Sequence, residues 1–405
     1  MKKKLAPVLF FLWLIYMCYG LIVSYYELNP VDQTVKIEDL PKYYDYKGVT
    51  HSLSKKSRGS GSFEELVAAG NTAKLDFLFI TDQNPFFEER IKEQYIDGTR
   101  VYFGGRYSYV DSILMVYGGE DLHQFHSLGQ SQILLNDLIT QKNRSPQNMS
   151  IFLAHPTKNN YRWSGDYPVG MDGFEVINLK QIWQKKAMED KLHFLFSLFL
   201  YPFNSTVSYI NIIQDPTEEL QLWDQMLAQR KFVGVLGNES TAKAIILPTD
   251  GGYIKFPAYS TSFQMASNHI LLDSELTGNL KRDKEKILEA IHNGRLYMSF
   301  DVLGNPKGFY AEYISENTKV TLGEEAKYEM GSKIIVNLPY RPRFPFEVQL
   351  FKDGKLYTTS NQHDVEFQIS SPGVYRVHVF LKPELPFLQG SRWLPWIISN
   401  PIYLR

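Results

Sequence analysis

The chain has very little cysteine, since Cys18 is the only one in 405 residues. A single cysteine excludes an internal disulfide bond and any metal site built from several thiolates. The chain also lacks an excess of charge of either sign, because 43 basic residues stand against 44 acidic ones. Without a basic surface, no nucleic-acid partner is expected. What is present, including 44% hydrophobic residues, suits a globular protein of about two domains.

One long hydrophobic run stands at the N-terminus, over residues 5–23, directly after the lysines at 2–4. A run of this length is about enough to cross a bilayer. By the positive-inside rule, the lysines stay in the cytoplasm. No small-x-small cleavage site follows, which favours an uncleaved signal anchor over residues 1–26 and a polar linker over 27–46. The sequence therefore predicts a membrane-anchored protein whose remaining residues are extracytoplasmic.

From residue 47 onward, short apolar runs alternate with segments of helical character. Such alternation predicts a mainly parallel α/β sheet or barrel. One helix is predicted after Ser62, because Ser62 and Glu65 form an S-x-x-E capping box. Another covers the apolar run 192–203, which is too short to span a membrane, so we expect it to be buried. The strand-like runs are 75–80, 100–103, 112–117, 150–154, 173–177 and 231–236.

The pattern changes near residue 298, where short strand-like runs follow one another without helices. Asp353-Gly354 lies between two such runs and is a strong signal for a hairpin. Short strands with turns at this spacing are typical of a β-sandwich. The sequence therefore predicts a barrel domain over 47–298 and a β-sandwich over 299–405.

Polar residues follow several of the predicted strands, as when Thr81, Asp82 and Gln83 follow the run 75–80. In barrel enzymes, the ends of buried parallel strands carry the chemistry. The strand-end motifs are Val49-Thr50-His51-Ser52, Ser57-Arg58-Gly59, Thr81-Asp82-Gln83, Gly104-Gly105-Arg106, His126-Ser127, Ala154-His155-Pro156, Asp172-Gly173-Phe174-Glu175 and Gly237-Asn238-Glu239-Ser240-Thr241. Taken in order, they resemble the motifs of the PHP (polymerase and histidinol phosphatase) superfamily.

The C-terminal third resembles the sandwich that follows the barrel in a CehA/McbA-like branch of that superfamily. The residues that carry this resemblance are 293–297, 353–354, 372–376 and 396–403. Together the similarity covers nearly everything after residue 44. It implies a PHP-type distorted (β/α) TIM-like barrel followed by a C-terminal β-sandwich.

Active PHP proteins are metal-dependent phosphoesterases, in which clustered His, Asp and Glu side chains hold two or three divalent ions. Such ions activate a water molecule and clamp the phosphate oxygens. This sequence departs from the pattern at Val49, Arg58, Gln83, Arg106 and Thr241. A guanidinium cannot ligate a metal ion, and in a pocket it repels one. The remaining candidates, which would hold one divalent ion at most, are His51, His126, His155 and Glu239.

Further candidates for the pocket are Arg58, Arg106, Asp82, Gln83 and Glu175. Arginine presents a planar fork of donors that matches phosphate or carboxylate, so the pocket is predicted to bind an anionic group without metal. The alternative is that the two arginines pair with the acidic residues and fill the pocket, as buried arginines usually do. Asp82 has the further alternative of capping its own strand end.

These observations support three hypotheses for the function. In the first, the chain is a degenerate, non-enzymatic PHP protein that binds an anionic small molecule or an envelope component. In the second, it is an active metal-dependent phosphoesterase with a reduced, single-metal site. In the third, it is a structural envelope protein that uses the β-sandwich for interaction.

Overall fold

The structure is a computed structural model that describes residues 2–30, 42–83, 92–110, 112–119, 131–245, 253–386 and 390–405. Within these ranges the helices are α1 Lys2–Ser24, α2 Phe63–Thr72, α3 Ser131–Arg144, α4 Leu179–Glu189, α5 Lys191–Leu200, α6 Ser205–Ile210, α7 Thr217–Leu227, α8 Tyr259–Met265 and α9 Leu280–Asn293. Two short 3-10 helices cover Pro146–Asn148 and Asp301–Leu303.

The described residues form 22 strands, which is more than the strand-like runs of the sequence predict. Those of the first part are β1 Tyr44–Ser52, β2 Phe77–Ile80, β3 Gln94–Ile96, β4 Thr99–Tyr109, β5 Ser112–Gly118, β6 Met149–Ala154, β7 Gly173–Asn178, β8 Val233–Gly237, β9 Ala244–Ile245, β10 Tyr253–Ile254, β11 Ser267–Leu272 and β12 Leu296–Ser299. Those of the second part are β13 Tyr310–Ile314, β14 Lys319–Thr321, β15 Glu325–Ala326, β16 Lys333–Asn337, β17 Phe346–Lys352, β18 Lys355–Ser360, β19 Asp364–Gln368, β20 Gly373–Leu381, β21 Leu394–Ser399 and β22 Ile402–Leu404.

A 16-stranded sheet organises this mixed α/β fold. Its order is β15-β22-β20-β21-β12-β11-β1-β2-β4-β5-β6-β7-β8, with β3 beside β4, and with β17 beside β20 and followed by β18. β1, β2 and β4 are mutually parallel, β5 runs the opposite way, and β6, β7 and β8 are again parallel. Within the series from β1 to β8, six strands therefore point in one direction, and their carboxyl ends share one edge of the sheet.

The last strand of this series, β8, ends beside the end of the first strand, β1. Just after β8, Ser240 pairs in parallel with Ser52 at the end of β1. The backbone N–H of Leu53 donates to the Ser240 carbonyl at 3.0 Å, and the Thr50 hydroxyl donates to the Leu236 carbonyl at 2.9 Å. These contacts bring the ends of β1 and β8 together around the same site.

Local signals account for several elements near the site. The capping box predicted at α2 is present, with Ser62 and Glu65 each bonded to the other's backbone N–H. The strand-like runs at 75–80 and 150–154 form β2 and β6, whose residues are all buried. A continuous apolar run is typical of a strand that is covered on both faces, so the sequence could predict these two strands.

The predicted division at residue 298 is crossed by both sheet and core. β12 pairs with β21 through Tyr297 and Ser399, so strands from both parts share one sheet. One hydrophobic cluster also contains Trp223 of α7 together with Val348 and Trp396 of the second part. A second, four-stranded sheet has the order β14-β13-β16-β19. The division into 47–298 and 299–405 remains a prediction.

The expectation that the run 192–203 is buried is wrong. α5 carries Leu192, Leu195 and Phe199 at 81%, 49% and 59% exposure. The run is apolar on several faces of the helix. Only the face with Ser197 and Leu200 is buried in the protein interior. Hydrophobicity alone does not show which faces of a helix the folded chain covers.

Candidate functional site

The six strands that point in one direction each place a polar side chain at the same edge of the sheet. His51 lies near the end of β1, Asp82 just after β2, Arg106 in the last part of β4, His155 just after β6, Glu175 in β7, and Glu239 just after β8. All but Asp82 are buried. The parallel order of the strands thus gathers residues that are far apart in sequence.

His51 and Glu175 form a fully buried pair. Nδ1 of His51 lies 2.6 Å from Oε1 of Glu175, and neither side chain reaches solvent. The other carboxylate oxygen, Oε2, accepts a hydrogen bond from the side-chain amide of Asn178 at 2.7 Å. Nε2 of His51 has no hydrogen-bond partner among the described residues. In the described part of the chain, this buried imidazole nitrogen therefore lacks the partner that buried polar atoms normally have.

His155 and Glu239 form a second pair. Nε2 of His155 lies 2.9 Å from Oε2 of Glu239, and Nδ1 lies 3.3 Å from the side-chain oxygen of Gln181. Nζ of Lys180 is 3.4 Å from the second Glu239 oxygen. Burial opposes ionisation of Glu239, but the charges of His155, Lys180 and His51 outweigh it and hold its pKa well below the ordinary value of 4.5. Glu239 is therefore a carboxylate.

The backbone at this second pair is strained. His155 has φ 55° and Glu239 has φ 42°, both in the left-handed region that side chains other than glycine rarely adopt. Such conformations cost roughly 1–3 kcal/mol each and persist where the surrounding structure fixes them, often at functional sites. Both members of one ion pair are held this way, which points to a position set by function.

Arg106 is the buried cation of the site, with 1% exposure. Its guanidinium donates to the side-chain oxygen of Gln83 at 3.4 Å, and its Nε has no hydrogen-bond partner in the described part of the chain. Within the same ranges, no carboxylate lies at ion-pair distance from Arg106. Burial lowers the pKa of Arg106, an effect that the charge of Glu239 opposes and that of Arg58 reinforces. Arginine nevertheless stays protonated in proteins.

Asp82 organises the loop that follows β1. Its Oδ1 accepts from the backbone N–H of Ser54 at 2.8 Å and from the Ser57 hydroxyl at 2.7 Å. Its Oδ2 accepts from the Ser54 hydroxyl at 2.6 Å. These bonds hold residues 54–57 against the end of β2, with the side chain of Arg58 exposed beyond them. Asp82 is thus placed as an anchor of the loop.

The donor set does not fit a cluster of metal ions. Over the ranges that the structure describes, no group of three or more His, Cys, Asp or Glu side chains is spaced to hold one. Glu175 and Glu239 each already contact a histidine, and Arg106 lies at the same edge as a fixed positive charge. Placing a divalent ion beside a buried guanidinium is electrostatically costly. His126, the remaining metal candidate, lies outside the described residues.

Three side chains of the site were not predicted, namely Asn178, Lys180 and Gln181. All belong to the junction of β7 and α4, where Asn178 also caps the helix by accepting from the backbone N–H of Gln181. The only signal in the sequence was their position after a strand end. That position predicts closeness to the site, but it does not say which side chains turn inward.

Among the described residues, the cavity beside the pair at the strand ends is small. A cavity of about 20 Å³ lies beside Glu239, between Lys180, Trp183 and Ser262, and has roughly the room that one water molecule needs. A larger cavity of about 330 Å³ lies elsewhere, between α7 and β20, and is lined by Asp224 and Arg376 among others. We take the strand-end site as the functional candidate, because it combines backbone strain with buried groups that have no partner among the described residues.

Comparisons with known proteins give distant likenesses of fold. No protein-family model matches the chain, and no curated protein matches it. Among solved structures it is similar to a two-domain protein containing a predicted PHP-like metal-dependent phosphoesterase from Bacteroides vulgatus ATCC 8482, with 10% identity over 92% of this chain and 99% of that one, at a TM-score of 0.40. It is also similar to PsfC from Pseudomonas syringae PB-5123, with 11% identity over 62% and 96% of the two chains, at a TM-score of 0.34. Likenesses this distant do not bear on activity.

Proposed function

We propose that this chain is a membrane-anchored, degenerate PHP-like protein that binds an anionic group at its strand-end site without a multinuclear metal centre. The motif resemblance supports the class, because the residues that carry it lie at the ends of parallel strands. The bridge between Ser52 and Ser240 supports a distorted barrel, because it joins the last strand of the series to the first.

The proposed anion site rests on the buried guanidinium of Arg106, which has no ion-pair partner among the described residues. Buried arginines are usually paired, and an unpaired buried charge destabilises a protein by several kcal/mol. Here the described chain offers Arg106 only the neutral amide of Gln83. An anion bound at its Nε edge would supply the missing partner. Charge-assisted bonds of this kind are the strong class of hydrogen bonds.

Binding of an anion requires some adjustment at the mouth of the site. A phosphate or carboxylate is larger than the cavity of about 20 Å³ beside Glu239. Lys180 lines that cavity, and its side chain is 20% exposed and ends 3.4 Å from Glu239. Its long, flexible side chain can swing toward solvent at small cost, so we expect it to follow an incoming anion.

The test is the melting temperature of the full chain in detergent, in chelator, with phosphate or sulfate added. We expect both anions to raise the melting temperature of the wild type, because a ligand that binds only the folded state stabilises it. The shift should vanish in Arg106→Ala and shrink in Arg106→Lys, which keeps the charge but loses the fork.

Arg100→Ala is the matched control, because Arg100 is a buried arginine of the same strand that is already paired with Asp283 at 2.8 Å. It should lower stability but keep the anion-induced shift. If phosphate and sulfate leave the wild type unchanged in chelator, the anion site is refuted. If Arg106→Ala fails to fold, calorimetric titration of Arg106→Lys with phosphate decides the matter.

A single-metal phosphoesterase is the second candidate, and one observation favours it. Metal-ligating histidines commonly bond a carboxylate through one ring nitrogen and leave the other for the ion. His51 has this arrangement, with Nδ1 on Glu175 and Nε2 unpartnered among the described residues. Elemental analysis of the purified chain separates the candidates. One ion per chain that is lost in His51→Gln would support this candidate, and two or more ions would refute the first proposal.

The anchor is part of the proposal. Residues 7–24 of α1 form the one stretch, in the part of the chain that is described, that is long and apolar enough to cross a membrane. A signal sequence has the same character, and the missing cleavage pattern favours the anchor. A reporter that works only outside the cytoplasm should be active when it is fused after Arg405. Activity of a reporter that works only in the cytoplasm would reverse the proposed orientation.

A further inference from the structure

The second half of α1 packs against the folded chain. The Tyr16 hydroxyl donates to the Phe199 carbonyl at 2.8 Å, and the Tyr16 ring meets that of Phe203 with centroids 5.2 Å apart. Near the end of the helix, the side-chain amide of Asn204 donates to the carbonyls of Val23 and Tyr26. Val23 is fully buried in this contact. The helix is therefore held against α5 and α6 by side-chain packing and by hydrogen bonds from side chains to backbone carbonyls.

The first half of α1 and the outer side of α5 are both uncovered and apolar. The large apolar residues from Val8 to Ile15 are 43–62% exposed. On α5, Leu192, Leu195 and Phe199 recur at a spacing of three and four residues, which places them on one face of the helix. That exposed face carries no charge between positions 194 and 200. Contiguous apolar surface of this kind on a folded protein marks a binding face.

The depth of α5 follows from its contact with α1. Tyr16 stands eight residues before Ser24, so it lies about 12 Å along the helix axis from that end. Half of the hydrocarbon core of a bilayer is about 15 Å thick. When α1 spans a bilayer with its C-terminal end at the outer surface, the part of α5 that contacts Tyr16 is carried below that surface.

We propose that α5 lies in the outer leaflet of the membrane and forms, with α1, a two-helix membrane contact that fixes the folded chain against the lipid. This inference rests on the proposed anchor. Leu192, Leu195 and Phe199 would enter the acyl region, while Lys191 and His193 at the start of the helix remain with the headgroups. Helices that bury one apolar face in the interface bind in this manner.

The test uses the full chain with Cys18→Ser, so that one new cysteine can be labelled with an environment-sensitive fluorophore. Leu195→Cys reports on α5, and Leu12→Cys reports on insertion of α1. Leu356→Cys is the matched control, because Leu356 is a leucine of similar exposure, 54% against 49%, on β18. The protein is reconstituted into phosphatidylcholine vesicles that contain a minority of phosphatidylglycerol. Quenching by spin-labelled acyl chains is compared with quenching by aqueous iodide.

We expect labels at 12 and 195 to be quenched by lipid and protected from iodide, and the label at 356 to show the reverse. If the label at 12 is in lipid while those at 195 and 356 behave alike, the membrane contact of α5 is refuted and the anchor stands. If neither 12 nor 195 reaches lipid, both ideas fail. If 195 is protected from iodide but not quenched by lipid, and chains cross-link through it, a second copy covers this face and the proposal is overturned.

Discussion

Nε2 of His155 and Oε2 of Glu239 lie 2.9 Å apart, and both residues hold a left-handed backbone, at φ 55° and 42°. The contact joins the ends of β6 and β8, two strands that are not neighbours in the sheet. One ion pair therefore depends on two unfavourable backbone conformations. The relationship can be tested by separating the side chain from the backbone.

Replacing Glu239 by glycine should destabilise the protein less than replacing it by alanine, because the backbone of Glu239 is left-handed. Both Glu239→Ala and Glu239→Gly remove the ion pair, but only glycine relieves the left-handed conformation. We expect the glycine variant to have the higher free energy of unfolding, by about 1 kcal/mol. Urea titration followed by tryptophan fluorescence gives the comparison. At Glu285, inside α9, the same pair of replacements should have the opposite order, since glycine weakens helices. Equal stabilities at 239 would show that the strain is not real.

The stability of the protein should fall in mild alkali because of His269. Burial disfavours its charge, but the carboxylates of Asp45 at 2.8 Å and Asp301 at 3.3 Å outweigh burial and raise its pKa from 6.5 to about 9. A raised pKa in the folded state stabilises it fully below pH 6.5, and this contribution is lost as pH rises toward 9.

The expected loss is on the order of 3 kcal/mol. The measurement is the free energy of unfolding in urea at a series of pH values between neutrality and mild alkali. His269→Gln should be less stable at neutral pH and should show a flatter dependence over this window. A wild-type stability that stays level across the window would contradict the raised pKa.

Removal of the Asp82 carboxylate should release the loop after β1. The carboxylate accepts three hydrogen bonds, from the N–H and hydroxyl of Ser54 and the hydroxyl of Ser57, and alanine offers no acceptor in its place. Asp82→Ala should therefore speed hydrogen exchange of the amides at 54–61 and lower stability by about 2–3 kcal/mol. The exposed Asp364 on β19 is the control, and Asp364→Ala should change neither quantity. Unchanged exchange at 54–61 would show that the loop is held by other contacts.

Gly20 sets the close approach of α1 to the folded chain. A Cβ at this position would lie 2.5 Å from the ring of Phe203, so a larger side chain must push the ring or the helix away. Gly20→Leu should lower the melting temperature of the full chain in detergent. Cys18→Leu adds bulk on an exposed side of the same helix and should have little effect. If both variants melt alike, α1 does not pack on α5 and α6 as described.

The fold was readable from the sequence wherever one segment carried its own signal. The continuous apolar run at 75–80 gave a buried strand, and the Ser62–Glu65 pair gave the start of α2. Arg106 and Glu239 are predicted site residues because each stands in a strand-end motif. What the sequence could not show was their environment, because burial and pairing depend on residues far away along the chain.

Arg58 and Arg106 illustrate that difference. Both are positions where the sequence departs from the motifs it resembles, yet Arg58 is exposed on a loop and Arg106 is buried within β4. The network of Asp45, His269 and Asp301 was missed altogether for the same reason. Its members come from β1, β11 and the turn after β12, and only strand pairing brings them into contact.

The pairing of β12 with β21 has a consequence for how the protein is made. Residues 296–299 have on one side a strand, β11, that is already synthesised, but their other neighbour is residues 394–399, nearly a hundred positions later. Until those residues have been synthesised, one edge of β12 has no native partner. Unpaired strand edges recruit other chains. Folding without aggregation therefore depends on the last few strands. Chains that end before residue 394 should be prone to aggregation and degradation.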